Sequence, residues 1–201
     1  MGPRQEPGLR DRKRAATRQR IAEQAARLAA EHGIAAATVD RIADAAGVGR
    51  ATFFRYFDSK ELAVAAGLSD VGLYVFTQTL AEQPADLGPL EAVRATHAAL
   101  AADYPKHRQM YLDQALLTRS SPAMYAWMLH LYVDWEIAIA EAVAPRFADL
   151  ADDDPRPRLV GAMTMAAARL ACDTWVADDG RGDLPELIRR HLARLETLEH
   201  A

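Results

Sequence analysis

The sequence predicts an all-α protein of about nine helices, and three observations carry that expectation. Apolar residues recur three and four positions apart along the chain, and no segment alternates in the period-two manner of a half-buried strand. Prolines at 84, 89, 105, 122, 145, 155, 157 and 185 cut the second part into pieces of helical length. Helix-capping residues stand where the periodic runs begin and end, among them Thr38 and Ser59 at starts and Gly33 and Gly47 at stops.

Residues 1–12 read as a disordered basic arm containing Gly2, Pro3, Pro7 and Gly8. Arg10, Arg12, Lys13, Arg14, Arg18 and Arg20 form a cationic run that suits the phosphate backbone of a nucleic acid, with Arg14 the candidate contact. A helix is expected from about Lys13 to His32, with Ile21, Ala25 and Leu28 on its buried face. Next, Val39, Ile42, Ala43 and Ala46 make one face of a short helix capped by Thr38, and Asp40 suits its positive N-terminal end. Gly47 supplies a left-handed stop. A second short helix follows, with Phe53 and Phe57 four apart and turned onto the first. Helix, tight turn and helix in this order match the unit that places its second helix in the DNA major groove. Ser59 caps the next helix, and Lys60 beside it sets a cation at the positive end, a cost of ~0.3–1 kcal/mol that a docked phosphate would reverse.

A helix from Lys60 to near Gln83 has a wide apolar arc, so its body is expected to be buried against several partners. Leu90, Val93, His97, Leu100 and Tyr104 continue at helical spacing, then Met110, Leu116 and Leu117, then Met124, Met128, Leu131 and Trp135 on a long helix. Residues 151–157 hold three consecutive aspartates but lack the spacing and the glycine of a calcium loop, so a solvated turn is expected there. An Ala-rich helix over 158–177 carries a flat side of small residues, and Leu184, Ile188, Leu192, Leu195 and Leu198 form the seam of the last helix. The expected domains are therefore 13–60 for DNA binding and 61–201 for the remaining functions.

Charge divides along the same line. Residues 1–60 hold 12 Lys/Arg against 7 Asp/Glu, a net of +5, while residues 61–201 hold 12 against 21, a net of −9. The first part attracts phosphate and the second repels it, which orients an encounter with nucleic acid. No apolar run is long enough for a membrane span, and the N-terminus lacks the apolar stretch of a secretory signal. A lone Cys172 makes no internal disulfide and reads as a small buried hydrophobe, consistent with a reducing cytoplasm.

The run T-V-D-R-I-A-D-A-A-G-V-G-R-A-T-F-F-R-Y-F-D-S-K-E-L resembles the DNA-binding domain of TetR-family transcriptional regulators over about residues 14–65. That resemblance implies a homodimer on double-stranded operator DNA, with Thr38, Arg50, Ala51, Thr52, Arg55, Tyr56 and Lys60 at the interface. Two positions depart from the common pattern: Gly49 replaces a capping Ser, and Phe54 replaces a Tyr whose hydroxyl meets a phosphate. The resemblance further implies repression relieved by a small molecule bound in the second domain. The stretches at 12–18 and 52–57 are similar to a subgroup with acyl-CoA-type ligands.

Candidate lining residues for such a ligand are Phe76, His97, Met110, Trp127, Met128, Leu131, Trp135, Met163 and Trp175, since Met and aromatic side chains accommodate varied apolar molecules. Core packing is their competing role, and for His97 a satisfied core histidine. Gly161, Ala162, Met165, Ile188, Leu192 and Leu195 are the candidate dimer surface, because the last two helices carry small residues and a leucine seam, and the resemblance implies that these helices pair across a two-fold into a four-helix bundle; packing inside one chain is the alternative. No metal or cofactor is expected: six histidines show no metal spacing, and neither a Gly-rich phosphate loop nor a nucleophile motif occurs. Catalysis is therefore excluded in favour of regulation, with a helical protein-interaction module or an activator without an inducer as the other readings.

Overall fold

In the computed structural model, residues 9–120 and 122–195 are described. Among them are nine α-helices, one short 3₁₀ turn and no strand. Residues 1–8 of the expected arm, together with Leu198 of the last seam, lie outside the described residues. No described helix is long and apolar enough to cross a membrane. The chain separates into two compact units, and the division falls inside one helix, between Val71 and Gly72.

The first unit begins with α1, Leu9–His32, which starts before Lys13 and takes in residues 9–12 of the segment expected as a disordered arm. Arg and Lys are good helix formers, so nothing after Gly8 halts the helix. Helix α2 is Val39–Ala45 and α3 is Arg50–Phe54. Thr38 Oγ1 accepts the Arg41 N–H at 3.4 Å, and Gly47 takes φ +63° to end the α2 turn. Gly49 has extended backbone and offers α3 no side-chain cap. Ile21, Ala22, Ala25, Ile42, Ala43, Phe53 and Phe57 are buried, so the apolar stripes of the three helices meet as their spacing requires. Helix α4, Lys60–Ala81, opens with Ser59 Oγ accepting the Leu62 N–H and buries Ala63, Val64, Ala65 and Ala66. Gly67 on α4 lies against α1 so closely that a Cβ there would stand 2.8 Å from the Ala26 Cβ and overlap the Ala22 carbonyl.

The second unit contains the rest of α4, then α5 Pro89–Ala101, α6 Tyr104–Thr118, α7 Pro122–Val143, α8 Arg156–Ala177 and α9 Leu184–Leu195. The prolines stand in the first turns of these helices, where the missing N–H has no intrahelical partner to lose. Pro105 thus starts a new helix, so Tyr104 belongs to α6 and not to the Leu90–Leu100 stripe expected to include it. One core joins Phe76, Leu80, Val93, Ile139, Val143, Met165 and Leu192, with Trp135, Ile188 and Leu195 packed on its edge. A second joins Tyr104, Ala115 and Trp175, with Leu112, Cys172 and Leu184 around them. In the 151–157 loop Arg156 ties Asp154 at 2.6 Å and Asp149 at 3.1 Å, and its guanidinium holds the Asp154 carboxyl below the usual range.

Packing of α7, α8 and α9 uses residues that the sequence reading assigned to a dimer surface. Gly161 is buried where α8 crosses α7, and a Cβ there would overlap the backbone of Glu136. Met165 and Leu192 are buried in the first core, and Ile188 and Leu195 pack on it. Gly161, Met165 and Leu192 are covered within the chain, while Ile188 and Leu195 are only partly buried. Small residues let helices approach closely whichever chain supplies the partner, and within this chain the packing that was the alternative reading accounts for Gly161, Met165 and Leu192.

Candidate functional site

The basic unit presents one exposed face on α3. Phe53 turns inward and is fully buried, which fixes the roll of the helix and leaves Arg50, Ala51 and Arg55 exposed with Thr52 and Tyr56 half-buried. Phe53 meets Phe54 edge-on at 5.4 Å and Phe57 at 6.0 Å. Phe54 is left 44% exposed, with no hydroxyl to offer a phosphate. The Arg55 guanidinium lies over the Tyr56 ring at 5.5 Å, and that of Arg50 over the Phe54 ring at 5.4 Å. Arg50 Nη1 also donates to Asp40 Oδ1 at 2.6 Å. Thr38 is exposed beside this surface, and Arg14 is exposed on α1.

Several cations of the expected phosphate-binding set have structural partners. Lys60 Nζ donates to the carbonyls of Ile34 at 2.9 Å and Ala35 at 3.2 Å, with Glu61 at 3.9 Å. The charge expected to stand uncompensated at the start of α4 is therefore used to tie the α1–α2 turn. Arg20 Nε donates to the Ala46 carbonyl at 2.9 Å and satisfies the end of α2, while Arg18 lies over the Phe57 ring at 4.9 Å. Arg41 donates to the Ala36 carbonyl at 3.0 Å. Partners 26 residues distant leave no mark on local periodicity, which is why sequence reasoning missed these roles.

In the second unit Phe76, His97 and Trp135 form one aromatic group. Phe76 is buried, its ring centroid 5.0 Å from that of His97 and 5.9 Å from that of Trp135. His97 Nε2 is buried with no hydrogen-bond partner among the described residues, and burial lowers its pKa to about 4. An unpaired buried ring nitrogen costs ~1–3 kcal/mol, and a core role for His97 would need a partner that the described residues do not supply.

Trp175 is corrected out of this group. It is fully buried in the other core, edge-on to Tyr104 at 6.3 Å and beneath the Arg108 guanidinium at 5.8 Å. Met128 is buried beside Arg119, whose Nη1 lies 3.9 Å from its sulfur. Arg119 in turn donates to Asp173 at 2.6 Å, near Tyr132, whose hydroxyl burial holds at about 12, and near Cys172, whose thiol burial also raises. Met110, Trp127, Leu131 and Met163 are half-buried. The described residues include a surface groove of about 270 Å³ by Trp175 and Arg190 and another of about 200 Å³ by Tyr132 and Arg169, each below the usual size of a ligand pocket. Neither is lined by Phe76 or His97.

Because the folded His97 pKa lies below its unfolded value of 6.5, the unfolded chain binds the extra proton between those values. Stability is then fully present above pH 6.5 and is lost as pH falls toward 4, by up to about 3 kcal/mol. A His97→Phe variant is expected to lack that loss in urea titrations at pH 7 and pH 5. An identical pH response in both chains would contradict the assignment.

The family model described as "Bacterial regulatory proteins, tetR family" matches residues 21–66, and the one described as "MftR C-terminal domain" matches residues 87–199. The HTH-type transcriptional regulator TcmR of Streptomyces glaucescens is 31% identical over 175 residues, covering 84% of this chain and 77% of that protein. The putative mycofactocin biosynthesis transcriptional regulator MftR of Mycobacterium tuberculosis (strain ATCC 25618 / H37Rv) is 28% identical over 168 residues, 84% of each chain. Among solved structures, Thermus thermophilus FadR, a TetR family transcriptional repressor in complex with lauroyl-CoA, aligns with a TM-score of 0.62 and 26% identity, covering 89% of this chain and 93% of that one.

Proposed function

The chain belongs to the TetR family of transcriptional regulators, and from that premise we propose a homodimeric repressor that a largely apolar small molecule releases from operator DNA. Such regulators are not enzymes. The observation that carries the DNA half of the proposal is α3 itself, which buries Phe53 while leaving Arg50, Ala51 and Arg55 outward on a part of the chain whose first 60 residues carry +5. In this reading residues 13–60 are the DNA-binding domain. Arg50, Ala51 and Thr52 read base edges, and Thr38, Arg55, Tyr56 and Arg14 meet the phosphate backbone, while Lys60 braces the α1–α2 turn.

The roles separate by experiment. Arg14→Ala should weaken binding to every sequence alike and flatten the salt dependence by about one phosphate contact, whereas Arg50→Ala and Thr52→Ala should change which sequence is preferred. Equal loss on all sequences for both classes would refute the assignment.

Residues 61–201 are then the effector and dimer domain. Buried His97 Nε2 beside Phe76 and Trp135 supports an effector with an apolar body and one hydrogen-bonding group. The lauroyl-CoA bound by the Thermus thermophilus relative supports an acyl thioester as its class. Helix α4 carries Lys60 at one end and Phe76 near the other, so an effector that shifts it changes the presentation of α3. A preference of ~100-fold for the released state corresponds to about 2.7 kcal/mol of coupling. Saturating lauroyl-CoA should therefore weaken operator binding about 100-fold, and unchanged affinity would sink the acyl thioester assignment.

For the twin subunit, exposed Leu129, Val133 and Ile137 lie four apart on α7, and exposed Leu159 and Leu170 lie on α8. Ala162 borders the groove between these helices. This pair of stripes replaces the α8–α9 seam as the proposed interface. Val133→Asp with Leu170→Asp should give a folded monomer in sedimentation. A dimer that survives both changes would place the interface elsewhere.

A further inference from the structure

The contact between Asp40 and Arg50 joins two exposed side chains, and exposed ion pairs contribute little to stability. Its geometry suggests another role. Asp40 on α2 takes a hydrogen from Nη1 of Arg50 at 2.6 Å, and the same guanidinium lies over the half-exposed Phe54 ring at 5.4 Å. Phe54 is itself set by its edge contact with buried Phe53. A long side chain that would otherwise sample many rotamers is thus held from two sides, by a carboxylate on one helix and a ring on the next. Among the described residues no partner takes the Nε or Nη2 hydrogens of Arg50. Those two donors form one edge of the guanidinium fork, the arrangement that pairs with guanine O6 and N7.

We infer that Asp40 and Phe54 are positioning residues that hold Arg50 with its Nε/Nη2 edge presented to a guanine, so that α2 helps set the operator sequence. This rests on α3 being the reading helix. An acidic side chain near DNA repels phosphate, and its presence on this surface is explained when it orients the arginine that reads a base. Holding the guanidinium in place removes ordering entropy that binding would otherwise have to supply.

The test is selection of preferred sites from a randomised duplex library by the full-length protein and by the Arg50→Ala, Asp40→Ala, Asp40→Glu and Phe54→Leu variants, with helix content checked by circular dichroism. Arg50→Ala should abolish preference for guanine at one base pair of each half-site. Asp40→Ala should reduce discrimination at that same base pair by about 10-fold, with affinity for non-specific DNA equal or tighter, and Phe54→Leu should reduce it in the same place. Asp40→Glu should restore part of the preference. If Arg50→Ala leaves every preference unchanged, the reading of α3 fails and the inference falls with it. If Arg50→Ala removes the guanine preference while Asp40→Ala only tightens binding uniformly, α3 stands and the positioning role is overturned.

Discussion

Gly67→Ala is expected to destabilise the first unit by about 3 kcal/mol and to lower its melting temperature, carrying DNA binding away with it. Intrinsic helix propensity argues the opposite, since alanine in a helix interior is favoured over glycine by ~1 kcal/mol. The packing decides. A Cβ at this position would lie 2.6 Å from the Ala22 carbonyl carbon and 2.8 Å from the Ala26 Cβ, and backbone cannot swing aside as a flexible side chain does. Urea unfolding followed by circular dichroism measures the difference. A variant more stable than the parent would show that α1 and α4 do not cross as closely as described.

Trp175→Ala should cost the second unit ~3–5 kcal/mol, in the range for removing a large buried aromatic side chain. The indole is wholly buried, packed edge-on to Tyr104 and roofed by Arg108, with Leu112 and Leu184 at its border. Arg108 also donates to the Gly180 carbonyl, where φ of +70° favours glycine and a Cβ would press on the Leu112 side chain. Truncating the indole therefore loosens the turn into α9 as well as emptying its own site. Differential scanning calorimetry should show the fall. A variant of unchanged stability but altered effector response would return Trp175 to the ligand site that the sequence assigned it.

Local devices were legible from sequence. The Thr38 cap, the Gly47 stop and the inward turn of Phe53 and Phe57 each involve residues within a few positions of one another, where residue type and spacing are enough. Helix α4 was legible too, ending at Ala81 against an expected end near Gln83. The same holds for the face of Met124 and Met128 on α7. Long-range partners were not. Nothing in the spacing says that Arg20 reaches Ala46, that Lys60 reaches Ile34, or that Asp40 holds Arg50.

The dimer seam shows the limit most clearly. Gly161 and Leu192 announce close helix packing, but periodicity reports only that a face is apolar, not which chain covers it. The ligand set has a related fault. Phe76, His97 and Trp135 do converge, whereas Trp175 shares their composition and belongs to a different core.

In the proposed function a basic three-helix head grips duplex DNA by its phosphates and reads it with α3. Fluorescence anisotropy of the full-length protein on a duplex from upstream of its own gene, repeated from low to moderate salt, tests it directly. Log affinity should fall linearly with log salt at a slope of roughly −0.9 per phosphate contacted, and binding should be tighter than to a scrambled duplex of equal length. Affinity that is absent at low salt, or that ignores salt and sequence alike, would contradict it.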